Sequence, residues 1–291
     1  MVKETLMATK KPMEIGVLGF LQKDADSFKI MADYGVKTCQ LQNWDMDLLT
    51  EDLAGKVRRD AEAAGVRIAA FWAGYSGKVI WNKLYGPSTC GLVPEHFRER
   101  RVAELKRGAD FASWLGAPAI ITHCGFIPEN MLDPQYVQVL SAIYDVSEHC
   151  QKLGLGFWFE TGQETPLTLL RTIEDAGLTN MGINLDTANL ILYGRGNPVD
   201  LLEICGQYVR NLHVKDAVYP RSGYQTGGEV PVGEGVVDFE KIIRKLYALN
   251  FDGELIIERE ISGPRQAEDI LKARQYIAGL LEACRPQAQR E

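Results

Sequence analysis

Four apolar runs in the second half of the chain each end abruptly on a side chain able to ligate a metal. Leu155-Gly-Phe-Trp-Phe stops at Glu160, Met181-Gly-Ile-Asn-Leu at Asp186, Val209-Arg-Asn-Leu at His213, and Leu255-Ile-Ile at Glu258. Each has an ordinary explanation alone: Glu160 or Asp186 as a helix cap, Glu258 as the partner of Arg259. Taken together they are harder to dismiss, because burying such groups unpaired is expensive and three facing carboxylates raise one another's pKa unless a cation lies between them. Three carboxylates and an imidazole, with no thiolate, suit Mn²⁺ first, with Mg²⁺ or Co²⁺ next and Zn²⁺ last. Such a ligand set leaves room for a carbonyl oxygen and a neighbouring hydroxyl. Polarising that pair acidifies the C–H between them, and a glutamate can take the proton.

Those four positions need a scaffold that brings strand ends together. A rhythm of helix-like segment, Gly and short apolar run recurs at Gly35, Gly65, Gly116, Gly154 and Gly177. Gly ends a helix in the left-handed conformation without steric cost, and continuous apolar runs are those of parallel strands buried on both faces. Eight strands are predicted: 14–20, 36–41, 66–72, 117–123, 155–160, 181–186, 209–215 and 253–258. Helical periodicity fills 98–115, 134–153, 239–249 and 266–281, and Pro94 and Pro198 stand where first-turn prolines belong. Eight β/α units predict a single (β/α)₈ barrel, a TIM barrel with an eight-stranded parallel sheet. An open doubly wound sheet lacks its expected Gly-x-Gly-x-x-Gly after the first strand. The predicted barrel occupies 13–285, between an N-terminal extension (1–12, expected to be flexible) and a C-terminal tail (286–291).

The longest strand-to-helix connections are 73–93, 124–133 and 216–237, on the face where such barrels carry their active sites. That face reads Gln40, Trp72, His123, Glu160, Asp186, His213 and Glu258. His123 is a candidate for a substrate hydroxyl, or a core histidine bonded to backbone. Lys215 shares the inward parity of His213, so it either reaches a substrate oxygen or faces solvent. Glu229 lies in the last long loop as a candidate lid contact. Trp72 and Trp44 offer an apolar wall for a sugar ring, or simple packing, and Gln40 and Gln42 are candidate hydroxyl readers.

The 291 residues are 46% apolar and 24% charged, with a net charge of -7. The densest basic stretches are Lys10-Lys11 and Arg98–Arg101, too little to track phosphates, so nucleic acid is not an expected partner. Six cysteines without Cys-x-x-Cys spacing read as reduced thiols. No run approaches a membrane span, and 1–12 lacks an apolar signal core, so a cytoplasmic protein without membrane contact is expected. A dimer or tetramer is the prior for a homo-oligomer. No Gly-rich phosphate cradle is evident, which favours a free sugar over a phosphate ester.

Several stretches resemble the xylose isomerase-like TIM barrels, the group holding ketose 3-epimerases, hydroxypyruvate isomerases, inosose dehydratases and endonuclease IV. They are Phe157-Trp-Phe-Glu160, Asn184-Leu-Asp186-Thr-Ala-Asn189, Asn211-Leu-His213-Val-Lys-Asp216, Pro231-Val-Gly-Glu-Gly235-Val-Val-Asp-Phe239 and Phe251-Asp-Gly-Glu-Leu-Ile-Ile-Glu258. The resemblance implies one Mn²⁺-like ion on Glu160, Asp186, His213 and Glu258, with the two glutamates as acid and base on a small sugar or keto-sugar. It departs at Asn189, where tagatose 3-epimerase-type enzymes carry a His. Asn189 remains a candidate substrate contact. The expected activity is isomerisation or epimerisation through an enediolate, and elimination from a keto-sugar or keto-glycoside is the alternative. Two remoter readings are a non-catalytic sugar-binding barrel and an endonuclease IV-like repair enzyme. The latter needs three metals, whereas only four histidines exist here and Glu229 replaces one of the branch's ligands.

Overall fold

The computed structural model describes residues 12–23 and 26–286, so the expected N-terminal extension and C-terminal tail lie almost wholly outside the described residues. In chain order the elements are β1 (Glu14–Phe20), α1 (Asp26–Asp33), β2 (Thr38–Asn43), α2 (Glu51–Ala64), β3 (Arg67–Ala73), α3 (Glu95–Leu115), β4 (Ala119–Thr122), α4 (Pro134–Lys152), β5 (Gly156–Glu160) and α5 (Pro166–Ala176). There follow β6 (Met181–Asp186), α6 (Asn189–Tyr193), α7 (Pro198–Cys205), β7 (Val209–Val214), β8 (Asp216–Val218), β9 (Gly228–Val230), α8 (Phe239–Ala248), β10 (Glu254–Ile257) and α9 (Pro264–Cys284). Eight parallel strands close in the order β1-β10-β7-β6-β5-β4-β3-β2, with the helices between them. The fold is a (β/α)₈ TIM barrel.

Local chemistry sets the boundaries. Thr50, Asp133, Thr165, Asn197 and Asp238 accept backbone N–H groups at the starts of α2, α4, α5, α7 and α8, as short polar N-caps do. Gly65 and Gly116 close α2 and α3 at φ 67° and 80°, where a Cβ would be strained. Pro198 is the first residue of α7 as expected, whereas Pro94 sits one residue before α3, as its cap. Strands are a little shorter than their apolar runs, so His123 and Glu258 stand just past β4 and β10.

Two features were not predicted. The 216–237 connection contains an antiparallel hairpin, β8 with β9. Asp216 organises it: Oδ1 accepts from the N–H of Ala217 and Val237, and Oδ2 from those of Gly233 and Gly235, at 2.8–3.2 Å. The strand pairing also shifts register between Cys39 and Gln40 and between Ile183 and Asn184, next to two polar side chains that meet inside the barrel.

Candidate metal centre and substrate cavity

Glu160 ends β5, Asp186 ends β6, His213 lies one residue before the end of β7, and Glu258 follows β10. One ligand atom from each lies within 4.8 Å of all the others. His213 Nδ1 is 2.9 Å from Glu160 Oε1, 3.0 Å from Glu258 Oε2 and 3.7 Å from Asp186 Oδ2. Yet Nδ1, Glu258 Oε2 and Asp186 Oδ2 are buried atoms that make no hydrogen bond. Groups this close without hydrogen-bond geometry converge on a shared point rather than on one another, and such orphans call for an explanation. A divalent cation is one that fits. With a neutral imidazole, its two charges and the ammonium of Lys215 balance the three carboxylates.

The remaining atoms of the cluster are held from below. Asp186 Oδ1 accepts from the N–H of Ala188 at 2.8 Å and of Asn189 at 2.7 Å, so only Oδ2 faces the centre. Glu160 Oε2 accepts from Asn184 Nδ2. His213 Nε2 is 2.7 Å from Gln40 Oε1, and Gln40 Nε2 donates to Asn184 Oδ1 at 3.0 Å and Asn211 Oδ1 at 3.1 Å. Asn211 Nδ2 in turn donates to Glu254 Oε2, and Glu254 pairs with Arg67 at 2.6 Å near the opposite end of the barrel. Carboxylates at both ends only accept, which fixes the orientation of every amide between them. Gln40 Oε1 must therefore accept from Nε2–H, and Nδ1 is the histidine atom left for a metal.

Electrostatics follow from this crowding. Burial alone would lower the His213 pKa, but Glu160 and Glu258 carry it well above the ordinary imidazole value. Burial pushes Glu160 up to about 7 against the pull of His213. Asp186 resists the same burial because Lys215 and His213 hold it below the usual carboxylate range.

Above the cluster opens a cavity of about 710 Å³, whose walls include Gln42, Trp44, Trp72, Trp81, His123, Asn189, Lys215, Glu229 and Glu258. A family model for xylose isomerase-like TIM barrels matches residues 28–280. The chain belongs to that family.

Within the xylose isomerase-like TIM barrels, this chain is similar over nearly its whole length to a xylose isomerase domain protein from Planctomyces limnophilus. The two are 35% identical with a TM-score of 0.88, over 94% of this chain and 99% of the other. A D-tagatose 3-epimerase-like protein shares the fold at 19% identity and a TM-score of 0.74, covering 94% and 98% of the two chains. An inosose dehydratase from Clostridium botulinum is 33% identical over 109 residues, 32% of this chain and 35% of that relative.

The xylose isomerase-like barrel brings most of the predicted site residues to the cavity, in altered roles. His123 and Trp72 line it, their rings edge to face at 5.7 Å. Burial drives His123 down to about 3, so its imidazole is neutral. Asn189 lines the cavity while its Nδ2 donates to Thr161 O at 3.2 Å. Lys215 is buried, not solvent-facing; Nζ is 2.8 Å from Glu260, 3.5 Å from Glu258 and 3.8 Å from Asp186. Glu229 borders the cavity, but its carboxylate pairs with Arg259 at 2.9 Å and accepts from the N–H of Glu260 at 3.2 Å. It fastens the β8–β9 hairpin to the segment after β10. Gln40 departs from the expected role of hydroxyl reader. It is fully buried beneath the cluster and spends its amide on His213, Asn184 and Asn211. Sequence reading missed Asn184, Asn211 and Trp81. The first two carried a signal, since each precedes a ligand by two residues and so shares its face of the strand.

Proposed function

We propose that this protein is a metal-dependent isomerase or epimerase of a small sugar or keto-sugar. The observation that carries the reading is the set of three buried, unbonded acceptors, Asp186 Oδ2, His213 Nδ1 and Glu258 Oε2, gathered around one point with Glu160. A divalent cation held by these four residues, Mn²⁺ in our reading, would supply a Lewis acid for a carbonyl and its neighbouring hydroxyl. The protein's own groups do the rest. One of Glu160 and Glu258 removes the proton from the carbon beside the carbonyl, and the other returns one. Delivery to the opposite face of that carbon yields an epimer, and delivery to the neighbouring carbon an isomer. Lys215 Nζ, buried beside Glu258, is placed to stabilise negative charge developing on a substrate oxygen. Neutral His123 and Asn189 hydrogen-bond hydroxyls from the cavity wall. Six free, buried cysteines support a reducing compartment, the cytoplasm in our reading, and a homo-oligomer is part of the same proposal.

A second reading keeps the site and expels a hydroxyl or glycosidic oxygen two carbons from the carbonyl. Asn189, at the position of the epimerase His, and the partial likeness to an inosose dehydratase favour it. Incubating the Mn²⁺-loaded protein with ketoses and 3-keto-sugars in D₂O separates the two. Deuterium incorporation without loss of water supports isomerase or epimerase chemistry, and an enone product supports elimination. Neither exchange nor enone with any substrate, with or without metal, would sink both.

A further inference from the structure

The cavity is built for more than one small ring. A hexose has twelve heavy atoms; at about 16 Å³ for each bonded atom in a close-packed sugar, it fills about 190 Å³. That is roughly a quarter of the 710 Å³ available. The reacting carbon must lie against the carboxylate cluster, so the surplus belongs to the opposite wall, which is aromatic. Trp44 packs on Trp72 at 4.9 Å and on Trp81 at 6.1 Å, and Trp81 faces His123 at 5.0 Å. All four rings line the cavity, and Trp81 is 40% exposed. We infer that the substrate is a two-ring glycoside, its keto-sugar over the metal centre and its second ring against Trp81 and Trp44. This rests on the proton-transfer reading above and names the substrate class for it.

Trp81 belongs to the connection between β3 and α3, and Arg101 is the side chain that gathers several of its carbonyls. Arg101 is fully buried, and among the described residues its guanidinium is met by backbone carbonyls rather than by a carboxylate in direct contact. Its guanidinium donates to the carbonyls of Thr89 at 2.8 Å, Gly91 at 2.6 Å and Ser76 at 3.2 Å, and lies 4.3 Å from the rings of both Tyr75 and Phe97. Tyr75 ties the same loop to β4 by donating to His123 O at 3.3 Å and packs against Trp44 at 5.5 Å. A fixed, planar array of donors is what spans several carbonyls at once, which lysine does not offer. Arg101 is a positioning residue that acts on specificity through Trp81.

The test compares phenyl 3-keto-β-D-glucoside with its methyl counterpart and with D-fructose on the Mn²⁺-loaded protein. Dissociation constants come from tryptophan fluorescence and kcat/KM from deuterium exchange. The phenyl glucoside is expected to bind about tenfold more tightly than the methyl one, the size of one stacking contact. Trp81→Ala should bring the phenyl-to-methyl ratio close to one, Trp81→Phe should keep most of it, and Arg101→Lys should lower it as Trp81→Ala does. Equal affinity for all three probes, no binding of any, or a ratio that survives Trp81→Ala would overturn the inference. Preferential binding of the phenyl probe without deuterium exchange would uphold the two-ring cavity and defeat the proton-transfer reading instead.

Discussion

Gln40 and His213 are 173 residues apart, and the bond between them decides which imidazole nitrogen is free. Outer partners of metal-binding histidines fix the tautomer and ring orientation, and losing one typically costs 10–100-fold in affinity. Gln40→Ala should therefore weaken Mn²⁺ binding by about 10–100-fold in a calorimetric titration, with the secondary structure unchanged by circular dichroism. Unaltered affinity would mean that His213 needs no partner. The protons of the cluster make a second prediction. Glu160 and Glu258 carry His213 well above its ordinary value and burial lifts Glu160 to about 7, so a cation competes with protons for these groups as pH falls. Affinity should rise with pH from 6 to 8, with protons released on binding in buffers of different ionisation enthalpy. A flat pH profile would contradict the assigned ligands.

At the scale of elements, the connections after β3 and β7 carry the cavity, and each is gathered by a buried ionic side chain. Arg101 gathers carbonyls in the first, and Asp216 gathers N–H groups in the second. Gly235 belongs to the second device: a Cβ there would lie 2.0 Å from Asp216 Oδ1, so no larger residue lets the carboxylate approach. Asp216→Ala leaves several donors without their acceptor, and a hydrogen bond to a charged group contributes about 1.5–3 kcal/mol. The melting temperature should fall by several degrees, and limited proteolysis should cut within 217–237. Resistance equal to that of the unaltered protein would show that the hairpin and the Glu229–Arg259 pair suffice.

For the molecule as a whole, a row of buried polar side chains runs up the barrel axis from Glu254, which the exposed Arg67 pairs with at its lower end, through Asn211 and Gln40 to the Glu160–Asp186–His213–Glu258 cluster. Three carboxylates at its upper end are costly to the folded state unless a cation offsets them. Mn²⁺ at a hundredfold excess over its dissociation constant should add about 2.7 kcal/mol to stability. For a chain of this size that raises the melting temperature by about 4 °C, and a chelator should reverse it. A scan unmoved by Mn²⁺, Mg²⁺ and Co²⁺ would leave the cluster without its proposed occupant.

Strands, helices and four candidate ligands were legible in the residues because each rests on local physics. Parallel strands buried on both faces must be apolar throughout, helices must end where glycine can turn left-handed, and a charged group closing a buried run stands out against both. What only the tertiary structure decided are contacts across the barrel. Gln40 faces His213 rather than a sugar because β2 and β7 look at each other through the closed sheet, a pairing that no spacing along the chain encodes. Glu229 answers Arg259 for the same reason, since the hairpin folds back onto the segment after β10. Arg101 reads as one more charge in the Arg98–Arg101 run of an exposed helix until the loop it holds is folded over it. Local patterns report which face a residue occupies; which other face it meets depends on the closure of the whole barrel.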